Sequence, residues 1–98
     1  MAKEELEIID NKADAALELW VENKRSFIAY ELEGDIIYLL HTEVPMEQNG
    51  RGIAAQLVQK AFLYIEAKNL KVVPACSYVR AFLKRHPDWA RIVAKENN

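Results

Sequence analysis

The stretch that most constrains this chain runs from His41 to Tyr64. An apolar run, Ile36-Ile37-Tyr38-Leu39-Leu40, continues through His41-Thr42-Glu43-Val44 and ends at Pro45. After a short polar segment, Gly50-Arg51-Gly52 opens onto a different period. Ile53, Leu57, Ala61 and Ile65, with Ala54, Val58 and Phe62 beside them, recur every three to four positions, while Gln56, Gln59, Lys60, Glu66 and Lys68 take the other side. That pattern predicts a surface helix of about four to five turns. A strand, a glycine turn and a helix start in that order form a backbone cradle for a phosphate, because helix-terminal amides are left without partners. The plainer alternative is a tight strand-to-helix connection that holds no ligand.

The residues before this stretch read as an antiparallel meander. Leu6, Ile8 and Ile9 suggest a short first strand. Ala15, Leu17, Leu19 and Val21 alternate with Ala16, Glu18, Trp20 and Glu22, the period of a half-covered strand. Glu22-Asn23-Lys24 reads as a hairpin turn into Ser26 to Leu32, and Glu33-Gly34-Asp35 as a second turn. The apolar run from Ile36 is expected to be a central strand covered on both faces. After the helix, Asn69 is placed to act as a left-handed cap. Leu70 to Val73 then forms a strand stopped by Pro74, most simply parallel to the strand before the helix. A second helix starts at Ser77, whose hydroxyl can cap it, and ends before Pro87; residues 88–93 add a last short helix. The expected order is β-β-β-β-α-β-α: an α/β (α+β) fold with an N-terminal antiparallel meander, a β-α-β crossover and helices packed on the sheet.

Ninety-eight residues suit one domain, 1–98, since a second core would bury too little surface. The formal net charge of -2 gives no basic footprint for nucleic acid. No run of about eighteen apolar residues suggests a membrane span, and the start, MAKEELEIID, lacks the apolar core of a signal peptide. A single cysteine suits a reducing compartment, so a cytoplasmic location is expected. No grouping of residues points to a metal.

Three phosphate-binding patterns compete for residues 49–55. A Walker-type loop requires Gly-Lys-Ser/Thr, and Gly52-Ile53-Ala54 supplies neither side chain. Gly50-x-Gly52-x-x-Ala55 fits a dinucleotide fingerprint formally, but the chain is too short for its two-halved parallel sheet. The third pattern is Asn49-Gly50-Arg51-Gly52-Ile53-Ala54, which resembles the Arg/Gln-x-x-Gly-x-Gly/Ala signature of the GNAT superfamily of acetyl-CoA-dependent N-acetyltransferases. HTEVP at 41–45, VVPACSYV at 72–79 and KRHPDW at 84–89 extend the resemblance to the short, stand-alone GNAT-like branch, over residues 15 to 93. Asn49 departs from the signature, which prefers Arg or Gln there.

The resemblance implies acetyl-CoA as cofactor. Its pyrophosphate would sit on the loop formed by Asn49, Gly50, Arg51, Gly52, Ile53 and Ala54. The pantetheine arm would lie where the strand of His41 to Val44 splays from the next strand, bonded to main chain near Thr42 and Val44. An amine of unidentified kind would accept the acetyl group. Cys76, before a helix N-terminus, is placed to hold the acetyl group transiently or to line the pocket. His41 and Glu43 compete as the base that deprotonates the amine. Phe82 stands where many superfamily members carry a proton-donating tyrosine, and Tyr78 lies one turn earlier. Arg80, Lys84 and Arg85 form a basic patch that either meets a CoA phosphate or is a solvated helix face. Trp20 and Trp89 read as packing residues. A non-catalytic CoA-binding or protein-interaction module is the alternative reading of the same fold.

Overall fold

The computed structural model describes residues 6–48 and 50–95. Five strands form one sheet in sequence order: β1 (Ile9–Asn11), β2 (Ala16–Val21), β3 (Lys24–Glu33), β4 (Ile36–Glu43) and β5 (Lys71–Pro74). The first four pair antiparallel, and β5 pairs parallel with β4 after the helix α1 (Ile53–Ala67). A second helix, α2 (Ser77–Arg85), follows, and 3-10 turns cover Met46–Gln48 and Pro87–Ile92. This is the expected mixed fold, a meander joined to one crossover.

Local chemistry explains the joints. Glu22 and Asn23 both have positive φ, 52° and 64°, as a tight hairpin between right-twisted strands requires. Asn69, φ 60°, ends α1: its amide bonds to the Glu66 carbonyl and the Leu70 amide to the Ile65 carbonyl. These two bonds satisfy carbonyls that the helix end would otherwise leave open. Both helices lie on one face of the sheet. Phe62 of α1, fully buried, meets Phe82 of α2 edge-on at 5.6 Å and Trp89 at 5.3 Å. Leu17, Leu19, Ile28, Ile37 and Leu39 close the core from the sheet side.

Several expectations need correction. β1 is Ile9–Asn11, and Leu6 and Ile8 precede it while packing against the core. Ala15, φ 51°, belongs to the turn before β2. Glu18, read as facing solvent, is buried, because Asn11, Trp20 and Arg25 all donate to its carboxylate. β4 is covered on one face only. Ile37 and Leu39 are buried, but Ile36 and Tyr38 are half-buried and Leu40 is 42% exposed. Ser77 does not cap α2; Cys76 holds that position, and no side chain makes a conventional capping hydrogen bond.

The register of β3 against β4 locates the feature that shapes the site. Tyr30 pairs with Leu39 but Ala29 with His41, so Leu40 is an extra residue, a β-bulge. A bulge reverses which face the following side chains occupy. Thr42 therefore turns to the helix face with its partner Ile28, and His41 and Glu43 turn to the open face with Ala29 and Phe27. The pairing of β4 with β5 ends at Leu39 and Pro74, leaving Leu40–Glu43 without a partner on that side.

Candidate active site

Two elements meet where β4 and β5 part. The first is the loop that enters α1. Gly50 and Gly52 have φ of 82° and 76°, a conformation that side chains with a Cβ adopt only with strain, and a Cβ at either would meet nothing within 4 Å. The backbone conformation and not crowding therefore calls for glycine. Gly52 is the helix cap, and among the described residues no side chain caps the first-turn amides. Those amides, from Ile53 onward, lie at the positive end of a fifteen-residue helix. Ile53 is buried and Ala54 half-buried, so the cradle offers main chain. Asn49 lies outside the described residues.

Two contacts that the sequence did not reveal brace this loop. Buried Gln48 donates from Nε2 to the Val21 carbonyl at 2.9 Å, and Arg51 makes a two-pronged pair with Glu22 at 3.0 Å on each arm. Arg51 holds the Glu22 carboxyl below its ordinary range, by hydrogen bonding first and charge second. Both contacts tie the loop to the β2–β3 hairpin. No local pattern signals them, because the partners are far apart in sequence. Among the described residues, Gln48 Oε1 is buried without a partner.

The second element is the parted end of β4 with the start of α2. Cys76 is 7% exposed, and its Sγ lies 3.2 Å from Thr42 Oγ1. Burial pushes the thiol up, but the Thr42 hydroxyl and the main-chain amides of Val79, Tyr78 and Thr42 together outweigh it, and its titration falls below the ordinary 9.0. Thr42 and Cys76 thus form one pair on the helix face. On the open face His41 Nε2 lies 3.5 Å from Glu43 Oε1, both side chains well exposed. Phe27 meets the His41 ring edge-on at 6.4 Å, and the Arg25 guanidinium lies over the Phe27 ring, 4.3 Å from its centroid. Val44 is half-buried against the core.

The remaining predicted residues sort clearly. Arg80 Nη1 donates to the carbonyls of Pro74 and Ala75, which fixes the connection from β5 to α2, while Lys84 and Arg85 are exposed in the last turn of α2. Phe82 is buried among Phe62 and His86, and Tyr78 is 36% exposed on the first turn of α2. Trp89 packs as expected. Trp20 is 44% exposed on the open face and gives its indole N–H to Glu18. Among the described residues no group of His, Cys, Asp or Glu is arranged to hold a metal ion, and no helix is long and apolar enough to cross a membrane.

This arrangement can be set beside known proteins. The family model described as GCN5-related N-acetyl-transferase matches residues 16–92. Sixty-four residues are 38% identical to the protein NATD1 of cattle (Bos taurus) and equally to that of Homo sapiens, and 34% identical to that of zebrafish (Danio rerio). Each match takes in 64% of this chain, and 57%, 57% and 58% of those proteins respectively, so the similarity spans little over half of the relatives' length. In three dimensions the chain is similar to a GCN5-like protein of Staphylococcus aureus solved by NMR. The TM-score is 0.69 at 20% identity, over 98% of this chain and 95% of that one, a likeness of fold. The glycine loop, the bulged strand and the parted sheet end all fall within the residues matched by the family model. The chain belongs to the GCN5-related N-acetyltransferase family.

Proposed function

We propose that this chain moves an acetyl group from acetyl-CoA to an amine, on a single domain whose cofactor loop is the Gly50–Ala54 turn. The observation that carries this reading is the uncapped start of α1, set behind two left-handed glycines at the end of β4 where β5 leaves it. Backbone amides at a helix start fit phosphate oxygens, and among the described residues no side-chain cap competes for them. The Leu40–Glu43 edge, freed of β5, fits an extended pantetheine arm bonded as an added strand. When bound, acetyl-CoA supplies the activated thioester.

The chain's own residues do the rest. His41 accepts the proton that the attacking amine must lose, and Glu43, 3.5 Å away on the same face, orients the imidazole. The Phe27 ring limits how His41 can turn. Thr42, with its main chain at the parted edge, is positioned to bind and polarise a carbonyl there. Tyr78, on the first turn of α2 and one turn before Phe82, offers a hydroxyl for protonating the departing thiolate, which Phe82 lacks.

Release of free thiol across a panel of amines tests this. His41→Ala is expected to lower turnover by about a hundredfold, and Glu43→Ala by less, with acetyl-CoA affinity preserved in both. Unchanged turnover in His41→Ala would remove it as the base. If no amine raises thiol release above hydrolysis, a CoA-binding or protein-interaction module becomes the better account. A second reading draws on the depressed Cys76 thiol, whose thiolate would take the acetyl group before the amine does. An acetyl adduct in intact-mass spectra, absent in Cys76→Ala, would support that order.

A further inference from the structure

Away from the glycine loop, α1 ends before the far side of the sheet is covered. Leu32 alternates with buried Tyr30 on the helix-facing side of β3, yet it is 51% exposed. A cavity of about 390 Å³ opens at that point, within the usual range for small-molecule sites. Asp10 of β1 is part of its wall. Tyr30 and Tyr64 donate their hydroxyls to its two carboxylate oxygens at 2.6 Å each. Each carboxylate oxygen accepts more than one hydrogen bond, so both retain capacity.

Lys12 and Lys68 also line the cavity, and both are exposed at its rim. Among the described residues neither lysine lies within ion-pair distance of a carboxylate, Asp10 included. Lys68 Nζ rests 5.5 Å from the centre of the Tyr64 ring. The cavity is thus lined by one half-buried carboxylate, two exposed ammonium groups and the apolar side chains of Leu32 and Leu70. A simple cross-link of β1 to β3 and α1 would need Asp10 and the tyrosines, but neither the lysines nor the apolar lining.

We propose that this cavity is a second binding site, for a free aliphatic α-amino acid. Its ammonium would meet Asp10 and the phenol oxygens, its carboxylate would face Lys12 and Lys68, and its side chain would cover Leu32 and Leu70. The site lies apart from the Gly50–Ala54 loop and does not depend on acetyl transfer.

The test is an NMR titration of the isotopically labelled full chain with three probes: L-leucine, N-acetyl-L-leucine, which has no ammonium, and 3-methylbutylamine, which has no carboxylate. Leucine is expected to give saturable shifts around Asp10, Lys12 and Lys68, with each analogue bound at least about fivefold more weakly. The rim variant Lys12→Ala/Lys68→Ala is expected to lose about fivefold for leucine and nothing for the amine. The proposal is overturned by the absence of saturable shifts at tens of millimolar leucine, by N-acetyl-L-leucine binding as tightly as leucine, or by shifts confined to other parts of the chain.

Discussion

At Cys76 the Thr42 hydroxyl, 3.2 Å away, and the neighbouring main-chain amides of Val79, Tyr78 and Thr42 favour the thiolate of a sulfur that is almost removed from water. Burial alone would make it an inert apolar side chain, the commonest fate of a lone cysteine. The contacts reverse that, and the Thr42 hydroxyl at 3.2 Å is the one that a single substitution can delete. Thr42→Val is therefore expected to move the thiol's titration upward from a wild-type midpoint below 9.0, followed by the ultraviolet absorbance of the thiolate against pH. The stability consequence has a definite sign. A thiol titrating lower in the folded than in the unfolded state adds stability above the unfolded value and loses it as pH falls through the folded one. Wild type should thus gain stability with rising pH across that window, and Thr42→Val should gain less. A midpoint unmoved by the substitution would mean that the helix-start amides dominate.

Among the elements, β4 and α1 carry most of the architecture. Phe62 locks α1 to α2 and to the Pro87–Ile92 turn through two edge-on ring contacts in a fully buried setting. Phe62→Ala is expected to cost about 3–5 kcal/mol, read from urea unfolding, and a loss under about 1 kcal/mol would mean that the helices repack around the gap. The elements themselves were largely legible. The change from a period of two to one of three to four separates the meander from α1, and the Asn69 cap and the hairpin at Glu22-Asn23 follow from known residue preferences. The Leu40 bulge was not legible. Leu39 and Leu40 are identical in kind, and counting by twos from buried Leu39 would send His41 and Glu43 into the core. Only the pairing with β3 puts them on the open face. The burial of Glu18 escaped for a similar reason: the three donors that make it tolerable come from two other strands as well as its own. Within the site, Gly50 and Gly52 could be read from the signature. The Gln48 and Glu22 braces join segments distant in sequence and leave no periodic trace.

At the scale of the whole molecule, one sheet carries its helices on a single face. Trp20 stands exposed and Phe27 and Tyr38 half-buried on the other, where no described helix packs. β5 is shielded at its outer edge by a bridge from Val93 to Val72 and by the Ala94 amide bonded to the Val72 carbonyl. On its inner side β5 parts from β4 only beyond Leu39, so the edge left open there is the short run Leu40–Glu43. Held from behind by α1 and braced by the β2–β3 hairpin, the Gly50–Ala54 loop is the point on which the proposed function depends. The most direct test is thermal unfolding with and without acetyl-CoA, for wild type and for Gly52→Val, whose side chain strains the left-handed turn. At about a hundred times its dissociation constant the ligand should add roughly 2.7 kcal/mol to wild-type stability and markedly less to Gly52→Val. No shift of the wild-type transition at millimolar acetyl-CoA would contradict the account.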